Sequence, residues 1–197
     1  GKTGLERLFL GENEISDISA LAGMTKLQRL NLSRNPLRDF RGTALRALAD
    51  MTNMTHLWLE DSQITNISYL AGMTQLEDLY LWGNQISDIS PLADMMSLRR
   101  LALQGNGGIG DINVLSDKTN LVLLDLGGNQ VDDVSVLAEL TGLEELYLWG
   151  NQISDISPLA DMMNLHRLAL QGNGGIHDIS VLYDKMNLIL LDLGGNQ

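Results

Sequence analysis

Residues 76–97 read Leu76-Glu77-Asp78-Leu79-Tyr80-Leu81-Trp82-Gly83-Asn84-Gln85-Ile86-Ser87-Asp88-Ile89-Ser90-Pro91-Leu92-Ala93-Asp94-Met95-Met96-Ser97. Leu76, Leu79, Leu81, Ile86, Ile89, Leu92 and Met95 form its apolar skeleton. Around Tyr80 the side chains alternate, so Leu79 and Leu81 point inward and the residues between them outward, as in a short strand. Asn84 follows at a turn where stacking would bury backbone polar groups, and its amide can satisfy them. From Asp88 to Leu92 a capping serine, Ser90, precedes Pro91 at the first helical position, which predicts a short helical turn on the outer side.

The same skeleton recurs along the whole chain, with repeats starting at Leu5, Leu27, Met54, Leu76, Leu98, Leu121, Leu143, Leu165 and Leu188. Most are 22 residues apart, and together they predict one solenoid domain over residues 1–197. The turn asparagine returns as Asn13, Asn35, Asn106, Asn129, Asn151, Asn173 and Asn196. Ser62 replaces it in the third repeat, where the shorter side chain is expected to need a bridging water. The second repeat is longer, and Leu45, Leu48 and Met51 within its extra segment, Gly42 to Met51, are at helical spacing. They predict one longer helix on the outer side. The fifth and eighth repeats each gain a residue at Gly107-Gly108 and Gly174-Gly175, expected as a looser turn. In the same two repeats Lys118 and Lys185 stand where leucine or methionine otherwise falls. Residues 76–130 match residues 143–197 at 47 of 55 positions, an offset of 67. Recent duplication or deliberate design would both leave such identity, and the irregular second repeat favours duplication.

The motif LxxLxLxxN followed by IxDIxPL resembles the leucine-rich repeat, in the short 22-residue subclass of bacterial internalins, over essentially the whole chain. The resemblance implies an α/β solenoid: a curved horseshoe with a parallel β-sheet on the concave face and short helical turns or loops on the convex face. A single repeat buries too little apolar surface to offset the entropy of ordering it, so the fold depends on stacked neighbours. No polar cap is visible at either end, and the chain starts at Gly1 without an initiator methionine. An uncapped fragment of a longer array is expected, with aliphatic side chains exposed on both terminal faces.

Composition narrows the function. Cysteine is absent, which leaves neither disulfides nor thiolate metal sites. The net charge of −12 opposes nucleic acid and anionic membranes, so the expected partner is basic or neutral. No apolar run is long enough to span a bilayer, and no membrane insertion is expected. The opening Gly1-Lys2-Thr3 matches the end of a phosphate-loop signature, but it aligns with Gly23-Met24-Thr25 at the end of a repeat and precedes a strand where a helix is required. The glycines at 105, 107, 108, 127 and 128 recur at the turn position and read as turn chemistry. His56, His166 and His177 have no nucleophile or ligand partner at a useful spacing, His56 beside Glu60 and Asp61 being the least implausible site. An aspartate column, Asp17, Asp39, Asp88, Asp111, Asp133, Asp155 and Asp178, provides one carboxylate per repeat, too sparse for calcium and better suited to structural hydrogen bonds. The methionines fall mostly at the last apolar position and read as core filler. No catalytic residues, metal or cofactor are expected.

Aromatic residues carry the functional signal. Phe9, Trp58, Tyr80, Trp82, Tyr147 and Trp149 all occupy outward slots within or just after a strand, and they are six of the nine aromatics. Large rings gain nothing for the core there, whereas they anchor interfaces; mutual stacking along the sheet is the competing reading. Charges on the same face, Glu77 and Asp78 beside Arg99 and Arg100, and Glu144 and Glu145 beside His166 and Arg167, suit either lateral ion pairs or a polar rim. The candidate partner-binding residues are therefore Trp58, Tyr80, Trp82, Arg100, Gln104, Asp125, Tyr147, Trp149, Arg167, Gln171 and Asp192. The expected function is a non-catalytic protein-interaction module. A carbohydrate-binding domain, with two sites three strands or about 14 Å apart, and a spacer or designed scaffold without a ligand are the alternatives. The internalin resemblance implies a bacterial secreted or surface protein.

Overall fold

The computed structural model describes residues 4–37 and 44–196. Nine three-residue strands lie among them: β1 (Arg7–Phe9), β2 (Arg29–Asn31), β3 (His56–Trp58), β4 (Asp78–Tyr80), β5 (Arg100–Ala102), β6 (Leu123–Asp125), β7 (Glu145–Tyr147), β8 (Arg167–Ala169) and β9 (Leu190–Asp192). They pair in parallel, in sequence order, as one sheet. Every repeat re-enters the sheet in the same direction because its second half returns the chain on the outer side, a crossover that parallel pairing requires. The result is a curved solenoid.

Register follows the repeat. Leu8, Leu30, Leu57, Leu79, Leu101, Leu124, Leu146, Leu168 and Leu191 form one inward column. From Leu30 to Leu168 this column is fully buried, while Leu190 and Leu191 in β9 are exposed. Ile86, Ile89, Leu92 and Met95 close the core from the other side, as the skeleton of residues 76–97 implies.

The asparagine ladder joins neighbouring repeats. Asn84 donates from Nδ2 to the carbonyls of Leu59 and Leu81, and its Oδ1 accepts the N–H groups of Ser62 and Ile64 at 3.1 and 2.9 Å. Ser62 needs no water: its hydroxyl is shared between the carbonyls of Glu60 at 3.0 Å and Leu32 at 3.3 Å, and its N–H is held by Asn84.

The outer turns depart from expectation in two ways. Each is a three-residue 3-10 turn, such as Ser90–Leu92 with Pro91 in it, and the serine makes no capping bond. The aspartate before it does: Asp88 Oδ1 accepts the Ser90 N–H at 2.9 Å, and Asp17, Asp133, Asp155 and Asp178 repeat the contact. Two residues separate carboxylate and N–H, the reach of an Asx turn, whereas Ser90 sits inside the turn with its own N–H as the group to be capped. Hydrogen bonds from the Ser90 side chain and backbone hold the Asp88 carboxyl below its ordinary value. Asp39 lies outside the described residues. Among the described residues the second repeat shows no long outer helix either, because the turn there spans only Arg46–Leu48. Leu45, Leu48 and Met51 are buried, so their spacing serves core packing of a short turn, and residues 42 and 43 lie outside the described range.

The added glycines at 107 and 174 take φ of 72° and 74°, the left-handed region that glycine enters without steric cost. Lys118 and Lys185 are buried in their core positions. Each Nζ donates to a backbone carbonyl of the preceding repeat, Ala93 at 2.8 Å and Ala160 respectively. Burial pushes both ammonium groups below their ordinary value.

Candidate functional site

Three columns of side chains line the sheet face opposite the leucines. The first runs Arg7, Arg29, His56, Asp78, Arg100, Leu123, Glu145, Arg167 and Leu190 along the strand starts. The second runs Phe9, Asn31, Trp58, Tyr80, Ala102, Asp125, Tyr147, Ala169 and Asp192. Two residues further along each chain segment, Gly11, Ser33, Glu60, Trp82, Gln104, Gly127, Trp149, Gln171 and Gly194 form the third. All eleven residues singled out in the sequence fall in these columns.

They form two groups. In the first, the Trp58 and Tyr80 rings stack with centroids 6.0 Å apart and planes 2° apart, His56 stacks on Trp58, and Phe9 approaches it at 6.4 Å. Mutual stacking and an exposed aromatic surface are thus realised together: Phe9 remains 62% exposed and Trp58 and Tyr80 half-buried. Asp78 is held between Arg100 Nη1 at 3.3 Å and His56 Nε2 at 3.7 Å. Burial, then the Asp78 charge, pushes the Tyr80 phenol up. Two charges that the sequence reading passed over, Arg34 and Glu12, stand beside this group with Asp61: Arg34 Nη1 pairs with Glu12 Oε1 at 2.6 Å, its Nε lies 3.7 Å from Asp61, and its guanidinium carbon lies 6.0 Å from the Trp82 ring centroid.

The second group centres on β6 and β7. Glu145, which replaces Asp78 in the duplicated unit, bonds Arg167 at 2.8 Å and also reaches the Tyr147 hydroxyl at 2.6 Å. Burial, joined by that bond, pushes the Tyr147 phenol up to about 12. The Trp149 indole lies across Gly127, where any β-carbon would overlap it. Asp125 accepts the Gly127 N–H at 3.0 Å, yet burial pushes its carboxyl up to about 6. Glu60 Oε2, Gln104 Oε1 and Gln171 Oε1 are buried acceptors without a hydrogen-bond partner, all in the third column. The expected lateral ion pairs therefore exist at Asp78 with Arg100 and Glu145 with Arg167.

The family model described as leucine-rich repeats (2 copies) matches residues 3–47, 52–94, 74–117, 119–161 and 141–184. The chain belongs to the leucine-rich repeat proteins. Its repeats are internalin-like. The structure of an internalin (inlF) from Listeria monocytogenes superposes with a TM-score of 0.92 at 34% identity, covering 99% of this chain and 56% of that one. An internalin C2 (inlC2) from the same species superposes at 0.88 with 35% identity, over 95% of this chain and 80% of that one. The leucine-rich-repeat ectodomain of the Arabidopsis thaliana receptor kinase GASSHO1/SCHENGEN3, solved in complex with Casparian strip integrity factor 2, superposes at 0.86 with 26% identity over 99% of this chain and 25% of that one. No curated protein matches the chain by sequence.

In these leucine-rich repeats the signal the sequence offered was the outward slot. It found the aromatics but not Arg34, and it read Gly127 as turn chemistry alone; the importance of both comes from neighbours one and two repeats away. Among the described residues no helix is long and apolar enough to cross a membrane.

Proposed function

We propose that this leucine-rich-repeat chain binds a protein partner on its concave sheet face, with Trp58, Tyr80, Trp82, Tyr147 and Trp149 as anchors. Arg100, Gln104, Asp125, Arg167, Gln171 and Asp192 would supply polar contacts around them. The observation that carries the reading is the coincidence, in one column, of half-buried tryptophans with the unpartnered acceptors of Glu60, Gln104 and Gln171. A buried acceptor without a donor costs about 1–3 kcal/mol, and side-chain movement that opens these atoms to a partner's N–H groups would recover it. Such a floor, together with the net charge of −12, suits a partner rich in donors and basic or neutral overall. The likeness to Listeria internalins extends the proposal to a bacterial secreted or surface protein.

The test is selection of binders from a protein-fragment display library, each binder then measured against Trp58→Ala, Trp82→Ala and Trp149→Ala and against Met96→Ala and Met163→Ala, exposed residues outside the sheet. Binders are expected to lose at least tenfold in affinity with the tryptophan variants alone. Binders indifferent to all three tryptophans would overturn the reading, and glycan-array binding lost in the same variants, without any protein binder, would transfer the face to carbohydrate.

A further inference from the structure

The 67-residue duplication makes Trp82 and Trp149 equivalent, but the charged neighbours of Trp82, Arg34 and Asp61, precede the duplicated segment. At Trp82 the guanidinium of Arg34 stands 6.0 Å from the ring centroid with Asp61 beside it. Arg34 and Asp61 belong to a turn column that begins with Glu12 and continues as Gly83, Gly105, Gly128, Gly150, Gly172 and Gly195. All have φ between 50° and 74°. Glycine adopts that conformation freely, whereas Glu12, Arg34 and Asp61 are strained by it. Three strained charged residues in consecutive repeats hold one another: Arg34 bonds Glu12 and faces Asp61. The chain thus accepts backbone strain to keep a guanidinium beside an indole and a carboxylate.

At Trp149 the corresponding positions, two and one repeats earlier, are Gly105 and Gly128. No side chain there can supply a cation. A carboxylate is nonetheless present, because Asp125 and Trp149 meet at Gly127: Asp125 accepts its N–H, and the indole lies across its Cα. The charged groups on adjacent strands are already committed. Arg100 pairs with Asp78, while Glu145 takes both Arg167 and the Tyr147 hydroxyl. Asp125 takes part in no ion pair among the described residues, and Gln104 Oε1, opposite Gly127 in the third column, is buried without a donor.

We propose that Trp149 and Asp125 form a receptor for an arginine side chain of the bound protein, which reproduces with a foreign guanidinium the arrangement Arg34 makes with Trp82 and Asp61. This rests on the concave-face reading and names the chemistry of the partner group that reaches β6 and β7. Arginine suits the site better than lysine because its planar fork stacks on an indole while donating to a carboxylate at its edge. A β-carbon at Gly105 would touch only the Gly83 backbone, whereas the Trp149 indole packs down on Gly127 and Gly128.

Nα-acetyl-arginine methylamide is the probe, and its neutral isostere, the citrulline derivative, is the control. Both are titrated into the intact chain while the tryptophan indole N–H resonances are followed by NMR. The arginine probe is expected to shift the Trp149 resonance saturably, the citrulline probe at least tenfold more weakly, and Asp125→Asn to weaken arginine binding at least tenfold. Asp132→Asn, the same charge change away from the sheet, is expected to leave binding within twofold. The carboxamide introduced by Asp125→Asn still accepts the Gly127 N–H, and an unchanged amide spectrum verifies the fold. Equal shifts by citrulline, a shift confined to Trp82, unchanged binding in Asp125→Asn or no saturable shift at all would each overturn the arginine receptor. If display-selected binders still depend on the tryptophans after such a failure, protein binding on this face stands and only the arginine assignment falls.

Discussion

Replacing Asp125 by asparagine should stabilise the fold while removing a functional group. The carboxyl is displaced from an ordinary 3.8 to about 6, chiefly by burial, with the Gly127 N–H opposing the change. Each pK unit corresponds to about 1.4 kcal/mol, so the charged form costs the folded state up to about 3 kcal/mol. Partial access to solvent reduces this to about 1–3 kcal/mol. The folded pKa lies above the unfolded one, so the native state holds its proton more tightly. Relative stability from this group is therefore greatest below pH 3.8 and falls away as the pH rises through about 6. Asparagine keeps the acceptor for Gly127 and removes the charge. Urea unfolding at about pH 7.5 should show Asp125→Asn more stable than the native chain by about 1–3 kcal/mol, with the difference shrinking toward zero as the pH falls to 3.8. A variant less stable than the native chain near neutrality, or a gain independent of pH, would refute the reasoning. A carboxylate that costs the folded state is what the proposed binding role of Asp125 would account for.

Other substitutions probe the scaffold and the site. Asn84→Ala strips partners from the Ser62 and Ile64 N–H groups and from two carbonyls; urea unfolding should show a loss of about 3–5 kcal/mol, against less than about 1 kcal/mol for the exposed Asn13→Ala. Lys118→Met places the residue found at the same position in other repeats; it should stabilise the chain by about 1–3 kcal/mol near neutrality, because the buried ammonium bonds only Ala93 and the Met96 sulfur. The lysine's folded pKa is lowered, so its cost is present at neutral pH and fades as the pH rises toward the ordinary 10.5. The stabilising difference should shrink in alkaline denaturation series, and a constant difference would contradict it. Gly127→Ala should force the Trp149 indole from its seat, seen as a displaced indole resonance and loss of the arginine probe, at a stability cost of about 1–3 kcal/mol.

The solenoid, the register of its strands and the three outward columns were legible in the residues, because they depend on short periods: alternation within Leu79-Tyr80-Leu81 and the 22-residue return. The same alternation placed Trp58, Tyr80, Tyr147 and their companions on one face. What a side chain does with its neighbours was decided elsewhere. Asp88 and Ser90 are both cap-forming residue types, and only the turn's position in space showed that the carboxylate accepts and the serine N–H donates. Ser62 looked deficient until its hydroxyl was found on the carbonyls of Glu60 and, one repeat back, Leu32. Leu45, Leu48 and Met51 carry a helical spacing that core packing uses without a long helix. Arg34 meets Trp82 across two repeats, and Asp125 loses its water only when the repeats on either side bury it. Periodicity is a property of adjacent residues, whereas desolvation and ion pairing depend on distances the chain acquires only after its repeats stack.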